Sequence, residues 1–497
     1  MPPGRGGKSL VTIRVLGIVL GIAADSTACR DGPGGQSVVG RTGVRGEVNR
    51  VRGAVVPGLV WAATRVVLLL YVCKVLTVPG GMDITSDVSV IYHGWFDRLS
   101  DGTFPSGDVT WQYPPAAALV ILSPGLLTGV GLLDYTSAFF VLACAADALV
   151  FGLLLYAVRQ RGPRDAEAGT RRRAGVWAWV VGVPLLGPTA YARYDLMVTA
   201  LAVAALLAAV RHPRTAGVLA GVGALVKVWP VLLLLGTPRG RATRIIWLSA
   251  LVTVAVVTAG FAATMPGALD FLSAQGGRGT EVESVSSLAL HAARQFGWEG
   301  QVLLRYGSME FVGPGVRTVS NVAVVLTGAG FGWLVLWRLR ARTWTPATVA
   351  DTAFTAVLVF VVTSRVLSPQ YLVWLVGLAA VCLTLRASRQ ALPGWLVVVA
   401  AGLTQLEFPV WFADVVASEG KGVLVLAARN VLLVVATVIA GVRLWRSTAA
   451  ERSAVPPRER VEPGPRARGA APSPPQAEAL PRRAVPQPAS GASCRRR

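Results

Sequence analysis

Charge is what this sequence has little of. Only 15% of its 497 residues are Asp, Glu, Lys or Arg, against about 25% in an ordinary soluble domain. Hydrophobic residues reach 53% and the mean hydropathy is +0.55. Soluble domains carrying basic tails are thereby excluded. Cysteine is also scarce: Cys29, Cys73, Cys144, Cys382 and Cys494 show no paired spacing, so neither a disulfide framework nor a zinc site is expected. The three histidines, His93, His212 and His291, are too scattered to form an obvious metal cluster. Chemistry here falls to carboxylates, arginines and backbone, and no metal or other cofactor is expected.

What is abundant is basic charge and long apolar runs. Lys and Arg total 48 against 26 Asp and Glu, a formal charge of +22. Nucleic-acid binding needs that excess massed on one water-facing surface. Here it lies in short clusters between apolar runs, as expected of residues that stay on the cytoplasmic side of a membrane. Only helices can carry such runs through lipid in a chain of this pattern. The sequence reads as an all-α polytopic membrane protein, with no nucleic-acid partner.

The expected organisation has three parts. Residues 1–52 read as a disordered cytosolic extension. Their apolar stretch 10–24 is too short for a good span, and a cleaved leader conflicts with the Arg41, Arg45, Arg50 and Arg52 cluster. Residues 53–446 form the membrane domain. Residues 447–497, rich in Pro, Ala and Arg, bury too little surface to fold and read as a disordered cytosolic tail. Within the domain, spans are expected at 54–76, 137–158, 174–188, 196–210, 245–263, 319–337, 347–363, 371–385, 392–405 and 423–442. The stretch 114–130, interrupted by Pro124 and Gly125, reads as interfacial or re-entrant. The stretch 216–235 has basic flanks on both sides, with Lys227 and Pro230 at its middle, so it reads as two half-helices. That makes about twelve transmembrane or half-membrane helices. Both termini are then cytoplasmic, with large outer loops at 77–113 and 264–317.

The first outer loop holds Asp83, Asp87, Asp97, Asp101 and Asp108 against the single base Arg98. Asp87 is followed by Tyr92 and Trp95 at helical spacing, then by Asp108 and Trp111-Gln112-Tyr113-Pro114-Pro115. Aromatic rings beside a carboxylate suit a sugar, the rings packing on its apolar face while the carboxylate takes a hydroxyl proton. An aromatic belt with solvated acids accounts for the same residues. Arg193-Tyr194-Asp195 forms a turn that either binds a hydroxylated or anionic ligand or simply pairs its own charges. Lys227 within an apolar stretch calls for a partner anion, unless it snorkels. In the second loop, Arg278, Glu281, Glu283 and His291 are candidates for acceptor contact or plain surface charges. Arg365, followed by Ser368-Pro369-Gln370-Tyr371, is a lone Arg at the outer end of a span; its fork suits phosphate oxygens, or it anchors the interface. Asp147 and Asp351 lie inside spans as interhelical hydrogen-bond partners.

Five of these segments, in order, resemble the polytopic glycosyltransferases of the GT-C fold, family 87. They are Asp87 to Tyr92, the Trp111 to Pro115 run, Arg193-Tyr194-Asp195, Lys227-Val228-Trp229-Pro230, and Ser368-Pro369-Gln370-Tyr371 with Trp374. That family includes the actinobacterial polyprenyl-phosphate-mannose-dependent α-mannosyltransferases of phosphatidylinositol mannoside and lipoglycan synthesis. The resemblance implies a polyprenyl-phosphate sugar donor, a lipid or glycan acceptor, and transfer on the outer face of the plasma membrane. It implies a catalytic carboxylate in the first outer loop, at Asp87. It leaves Arg365 and Lys227 for the donor phosphate. Tyr92, Trp95, Asp108, Trp111, Tyr113, Arg193, Tyr194, Asp195, Arg278, Gln370 and Tyr371 are then candidates for sugar or acceptor contact. Family motifs often carry Lys where Arg365 stands. The rival classes are a transporter or flippase with Asp147, Lys227 and Asp351 as an ion path, and an inactive family member.

Overall fold

The computed structural model describes residues 41–159, 166–274 and 278–449. Most of the expected N-terminal extension and nearly all of the tail lie outside the described residues, as do Cys29, Cys494, Arg161 and Arg164. The first helix, α1, spans Arg41–Val72 and so begins upstream of the expected boundary at residue 53. It is followed by α2 (His93–Ser100), α3 (Tyr135–Arg159), α4 (Ala166–Leu185), α5 (Asp195–Ala208), α6 (Pro213–Val226) and α7 (Arg241–Thr264). After a loop domain containing α8 (Leu288–Gln295) come α9 (Val316–Arg340), α10 (Thr348–Thr363), α11 (Tyr371–Thr384), α12 (Ala391–Gln405) and α13 (Gly420–Thr448).

Length and burial divide these helices into two sets. Among the described residues, six are long and apolar enough to cross a membrane: Ala54–Val72, α3, α7, α9, Ala391–Val410 and α13. The apolar helices α5, α6, α10 and α11 have only 14 to 16 residues. At 1.5 Å per residue they extend about 21 to 24 Å, short of a hydrocarbon core of roughly 30 Å. Composition explains where each set sits. A helix apolar on every side belongs in a protein interior, and every residue of α11 after Tyr371 is buried. By contrast α7 and α9 leave most of their apolar surface outward, as lipid-facing helices do.

Small residues let the inner helices meet. Gly175 and Gly182 of α4 lie against α11, where an added Cβ would strike Thr384, Ala380 and Val376. Gly217 and Gly221, one turn apart on α6, lie against α7, where a Cβ would meet the carbonyls of Ile246 and Ala250. Close backbone approach at small residues is a principal source of helix association in lipid. One pair of opposite charges is matched deep within the bundle. Arg65 of α1 and Asp147 of α3, both fully buried, pair at 2.7 Å. The Asp147 carboxylate further accepts from Trp61, Trp179 and Tyr191.

The stretch expected as a long outer loop has structure of its own. Strands β1 (Thr280–Glu281), β2 (Gln301–Arg305) and β3 (Ser308–Val312) form an antiparallel sheet ordered β1-β3-β2. Tyr306 and Gly307, both at positive φ, close the β2–β3 hairpin in two residues, a geometry matched to strand twist. Val282, Leu290 and Phe311 pack there with Val415 and Leu426. The helix-only expectation therefore misses a small sheet, because strands this short, and β2 this exposed, carry no alternating pattern to read.

Candidate functional site

The segment after α1 builds the first wall. Val88, Tyr92, Trp95 and Leu99 are buried; their spacing of four, three and four places them on one helical face. The chain accordingly winds as a π-helical turn, Asp87–Tyr92, running directly into α2. Tyr92 and Trp95 stack with ring centres 5.4 Å apart. Trp95 Nε1 donates to Asp108 Oδ2 at 2.9 Å, while Asp108 Oδ1 accepts from the Thr110 amide and hydroxyl. Asp108 thus ties off a turn that aims the chain at Trp111 and Tyr113. Burial raises its pKa, but the hydrogen bonds from Thr110 and Trp95 outweigh it and hold the carboxyl below its usual range.

Asp87 faces Arg193, whose Nη2 lies 2.8 Å from Asp87 Oδ2. Arg193 Nη1 also donates to the carbonyls of Ile84 and Ala192. One guanidinium therefore fixes both the Asp87 turn and the turn before α5. Asp87 keeps a side-chain exposure of 32%, so its carboxylate remains accessible.

The next two residues build a second charge pair. Asp195 is the first residue of α5, where the helix dipole favours an anion. Its Oδ1 accepts from Lys227 Nζ at 2.8 Å and from Trp374 Nε1 at 2.6 Å. The break expected between 216 and 235 is present. The helix α6 stops at Val226, Lys227 is extended, and a 3-10 turn, Trp229–Gly236, follows. Lys227 Nζ lies 4.9 to 5.6 Å from the ring centres of Tyr113, Tyr194, Tyr371 and Trp374. Aromatic faces attract a cation at such distances. Trp374 in turn stacks on Tyr371 at 4.1 Å and on Trp229 at 5.3 Å. Burial first, then Asp195 and Asp87, push the Tyr113 phenol up to about 12, so it stays neutral.

The loop domain closes the site. Glu281 Oε2 accepts the Leu367 amide at 2.6 Å and Oε1 the Ser368 hydroxyl at 3.0 Å, while its own amide donates to the Arg365 carbonyl. The strand β1 thereby holds the segment that presents Arg365 and Gln370. Arg278 bridges Glu310, Gln112 and Ser308 at 3.3, 3.2 and 2.7 Å. Together these walls enclose a cavity of about 740 Å³, within the size range of small-molecule sites.

Twelve of the candidate residues line that cavity: Asp87, Tyr92, Trp95, Tyr113, Arg193, Lys227, Arg278, Glu281, Glu283, Arg365, Gln370 and Tyr371. Four do not. Asp108 and Trp111 support Trp95 from outside the lining, Trp111 edge-on at 5.0 Å. Tyr194 and Asp195 are buried around Lys227. Asp147 and Asp351 line it neither: the first is locked to Arg65 and the second accepts from Ser388 and the Arg389 amide. His291 is buried between Ser418 and the Val282 carbonyl. The sequence offered no signal for Tyr306 at the hairpin tip, or for Phe408 and Phe412, because their neighbours in space come from distant segments.

Segments scattered from Asp87 to Trp374 thus converge on one cavity. The family model of glycosyltransferase family 87 matches residues 111–369, just over half of the chain. The chain belongs to glycosyltransferase family 87. It is a membrane glycosyltransferase, and the matched range contains Trp111, Tyr113, Arg193, Asp195, Lys227, Arg278 and Arg365. Asp87 and Tyr371 fall outside the matched range, and the fold brings them to the same cavity as the family's segment. No curated protein and no solved structure matches the chain.

Proposed function

We propose that this family 87 glycosyltransferase has the GT-C architecture and transfers mannose or another hexose from a polyprenyl-phosphate donor to a lipid or glycan acceptor. The reaction takes place on the extracytoplasmic face of the plasma membrane, with both termini cytoplasmic. The observation that carries the reading is that Asp87 and Lys227 line one cavity, one an accessible carboxylate and the other an ammonium. The basic clusters between spans support the orientation.

Transfer proceeds in one inverting displacement. The acceptor oxygen attacks the anomeric carbon as the bond from that carbon to the phosphate oxygen breaks. Asp87 takes the acceptor hydroxyl proton, a contribution of about 10² to 10⁴-fold for a positioned base. The electron pair of the broken bond leaves on the phosphate, which is already anionic and needs positive charge rather than an acid. Lys227 and Arg365 supply it. An ammonium has three donors, and Asp195 occupies one of those on Lys227. Aromatic residues Tyr92, Trp95 and Tyr113 receive the apolar face of the sugar. The reading needs no metal ion, because cationic side chains meet the developing charge.

The test is an assay of full-length protein in membranes with polyprenyl-phosphate mannose and a membrane lipid extract. Asp87→Asn is expected to abolish transfer at unchanged protein level; full activity would move the base elsewhere, Asp83 being the next carboxylate of the loop that lines the cavity. Arg365→Ala is expected to raise the donor concentration needed for half-maximal rate. An unchanged donor dependence would remove Arg365 from the phosphate site.

A further inference from the structure

The cavity also has an acidic wall that the transfer step does not use. Glu283 lines it and is only 4% exposed. Glu407, from the turn Leu406–Val410, and Arg429 of α13 are both fully buried and do not line it. Arg429 Nη2 lies 3.6 Å from Glu407 Oε2 and donates to the Glu283 carbonyl at 2.8 Å. Asn430 Nδ2 donates to the carbonyls of Glu283 and Ser284. These bonds hold the backbone of Glu283 in place but give its carboxyl no donor. Glu283 Oε1 and both carboxylate oxygens of Glu407 are sealed from solvent and accept no hydrogen bond among the described residues.

Two carboxylates beside one guanidinium would leave a net negative charge in a sealed place. A charge buried without compensation costs several kcal/mol, and two close carboxyls relieve it by sharing one proton. Burial first, then Glu407 and Glu281, hold the Glu283 carboxyl well above its usual range. A bridging proton occupies one oxygen of each acid. The second oxygen of Glu283 is then left toward the cavity that this residue lines, and among the described residues no donor satisfies it. Phe408 and Phe412, one residue and five residues beyond Glu407, line the same cavity with ring centres 5.0 Å apart. A pyranose supplies what this wall lacks: hydroxyl donors along its edge and an apolar C–H face for the rings.

We propose that Glu283, Phe408 and Phe412 form a second sugar subsite that binds a pyranose ring through its hydroxyls, with Glu407 and Arg429 as the positioning residues of Glu283. The subsite rests on the transferase reading for its role, the ring belonging to the acceptor glycan or to the donor sugar. Its recognition chemistry is the same in either case.

The experiment titrates purified full-length protein in detergent with n-octyl α-D-mannopyranoside, following tryptophan fluorescence, with n-octanol as the control for the alkyl chain. Saturable glycoside binding is expected, weakened about tenfold by Glu283→Gln and more by Glu283→Ala, the scale of a hydrogen bond to an ionisable group. Glu407→Gln, which keeps a donor for Glu283, should retain most of the binding. Thermal unfolding of each variant shows that the fold persists. An effect on glycoside binding assigns the subsite to the acceptor ring. An effect confined to the donor concentration dependence of transfer assigns it to the donor sugar. Equal behaviour of wild type and both Glu283 variants in the two measurements overturns the proposal, as does the absence of saturable glycoside binding together with an unchanged donor dependence. Either result leaves the Asp87→Asn test standing, since the titration does not depend on turnover.

Discussion

Arg193 Nη2 sits 2.8 Å from Asp87 Oδ2 while Nη1 of the same guanidinium holds the Ile84 carbonyl at 3.2 Å. The carboxylate is thus held at a set position by a residue more than a hundred positions away. Arg193→Ala is expected to leave the protein folded but lower the transfer rate at saturating donor about ten- to a hundredfold, the cost of letting a base wander from its geometry. Arg193→Lys should recover only part, because an ammonium cannot span both partners as a planar fork does. Full activity of the alanine variant would show that Asp87 needs no help in placement.

Lys227 and Asp195 form a pair whose members are 12% and 2% exposed. Removing one partner strands the other. Lys227→Met should therefore lose transfer and also destabilise the fold by about 3 to 5 kcal/mol, the usual cost of breaking a buried pair. Adding Asp195→Asn is expected to restore much of the thermal stability and none of the transfer. Recovery of activity in the double variant would assign Lys227 a structural role alone.

The contact of α6 with α7 depends on Gly217. A Cβ there would run into the Ile246 carbonyl, and backbone cannot move aside as a flexible side chain can. Gly217→Val should force the two helices apart and reduce the yield of monodisperse protein in detergent. Gly58, with open space around its Cα, provides the control, Gly58→Val being expected to purify as the wild type does.

The hold of the loop domain on Arg365 should depend on pH through Glu281. Burial raises this carboxyl above the usual range, against the opposing influence of Arg278, Ser368 and the Leu367 amide. A raised folded-state value means that the native state binds its proton more readily than the unfolded chain does. The contribution to stability is then complete below the ordinary glutamate range and declines as the pH rises through the raised value. Proteolysis within 278–312 should quicken as buffer is taken from mildly acidic to alkaline, and Glu281→Gln should flatten that dependence. A pH-independent cleavage rate in the wild type would refute it.

The broad architecture was legible because it is written in composition. Apolar runs separated by arginine clusters locate the long helices, and Lys227-Val228-Trp229-Pro230 announces a broken one, since a charge and a proline both oppose a continuous span. The pairing of Arg65 with Asp147 was not legible, since a charge inside a span shows that a partner exists without naming it. The sheet was hidden for a different reason: β1 has two residues and owes its place to Glu310 and Arg365, which are distant in the chain.

The same division holds for the site. The kinds of residue it needs, a carboxylate with aromatic neighbours and a cation set among apolar residues, follow from chemistry and stand in the sequence at Asp87, Tyr92, Trp95 and Lys227. Their roles relative to one another were decided only by the fold. Asp108 and Asp87 are both acids of one loop, yet Asp108 closes a turn under Trp95 and Asp87 lines the cavity. Glu281 and Glu283 are two residues apart and both line the cavity, yet one clamps the Arg365 segment and the other faces Glu407. Sequence alone determined that this chain lives in a membrane and which side chains it has for chemistry. Tertiary structure decided which of them are consumed in holding the protein together and which are left to act, because hydrogen-bond capacity is used up only by partners in space.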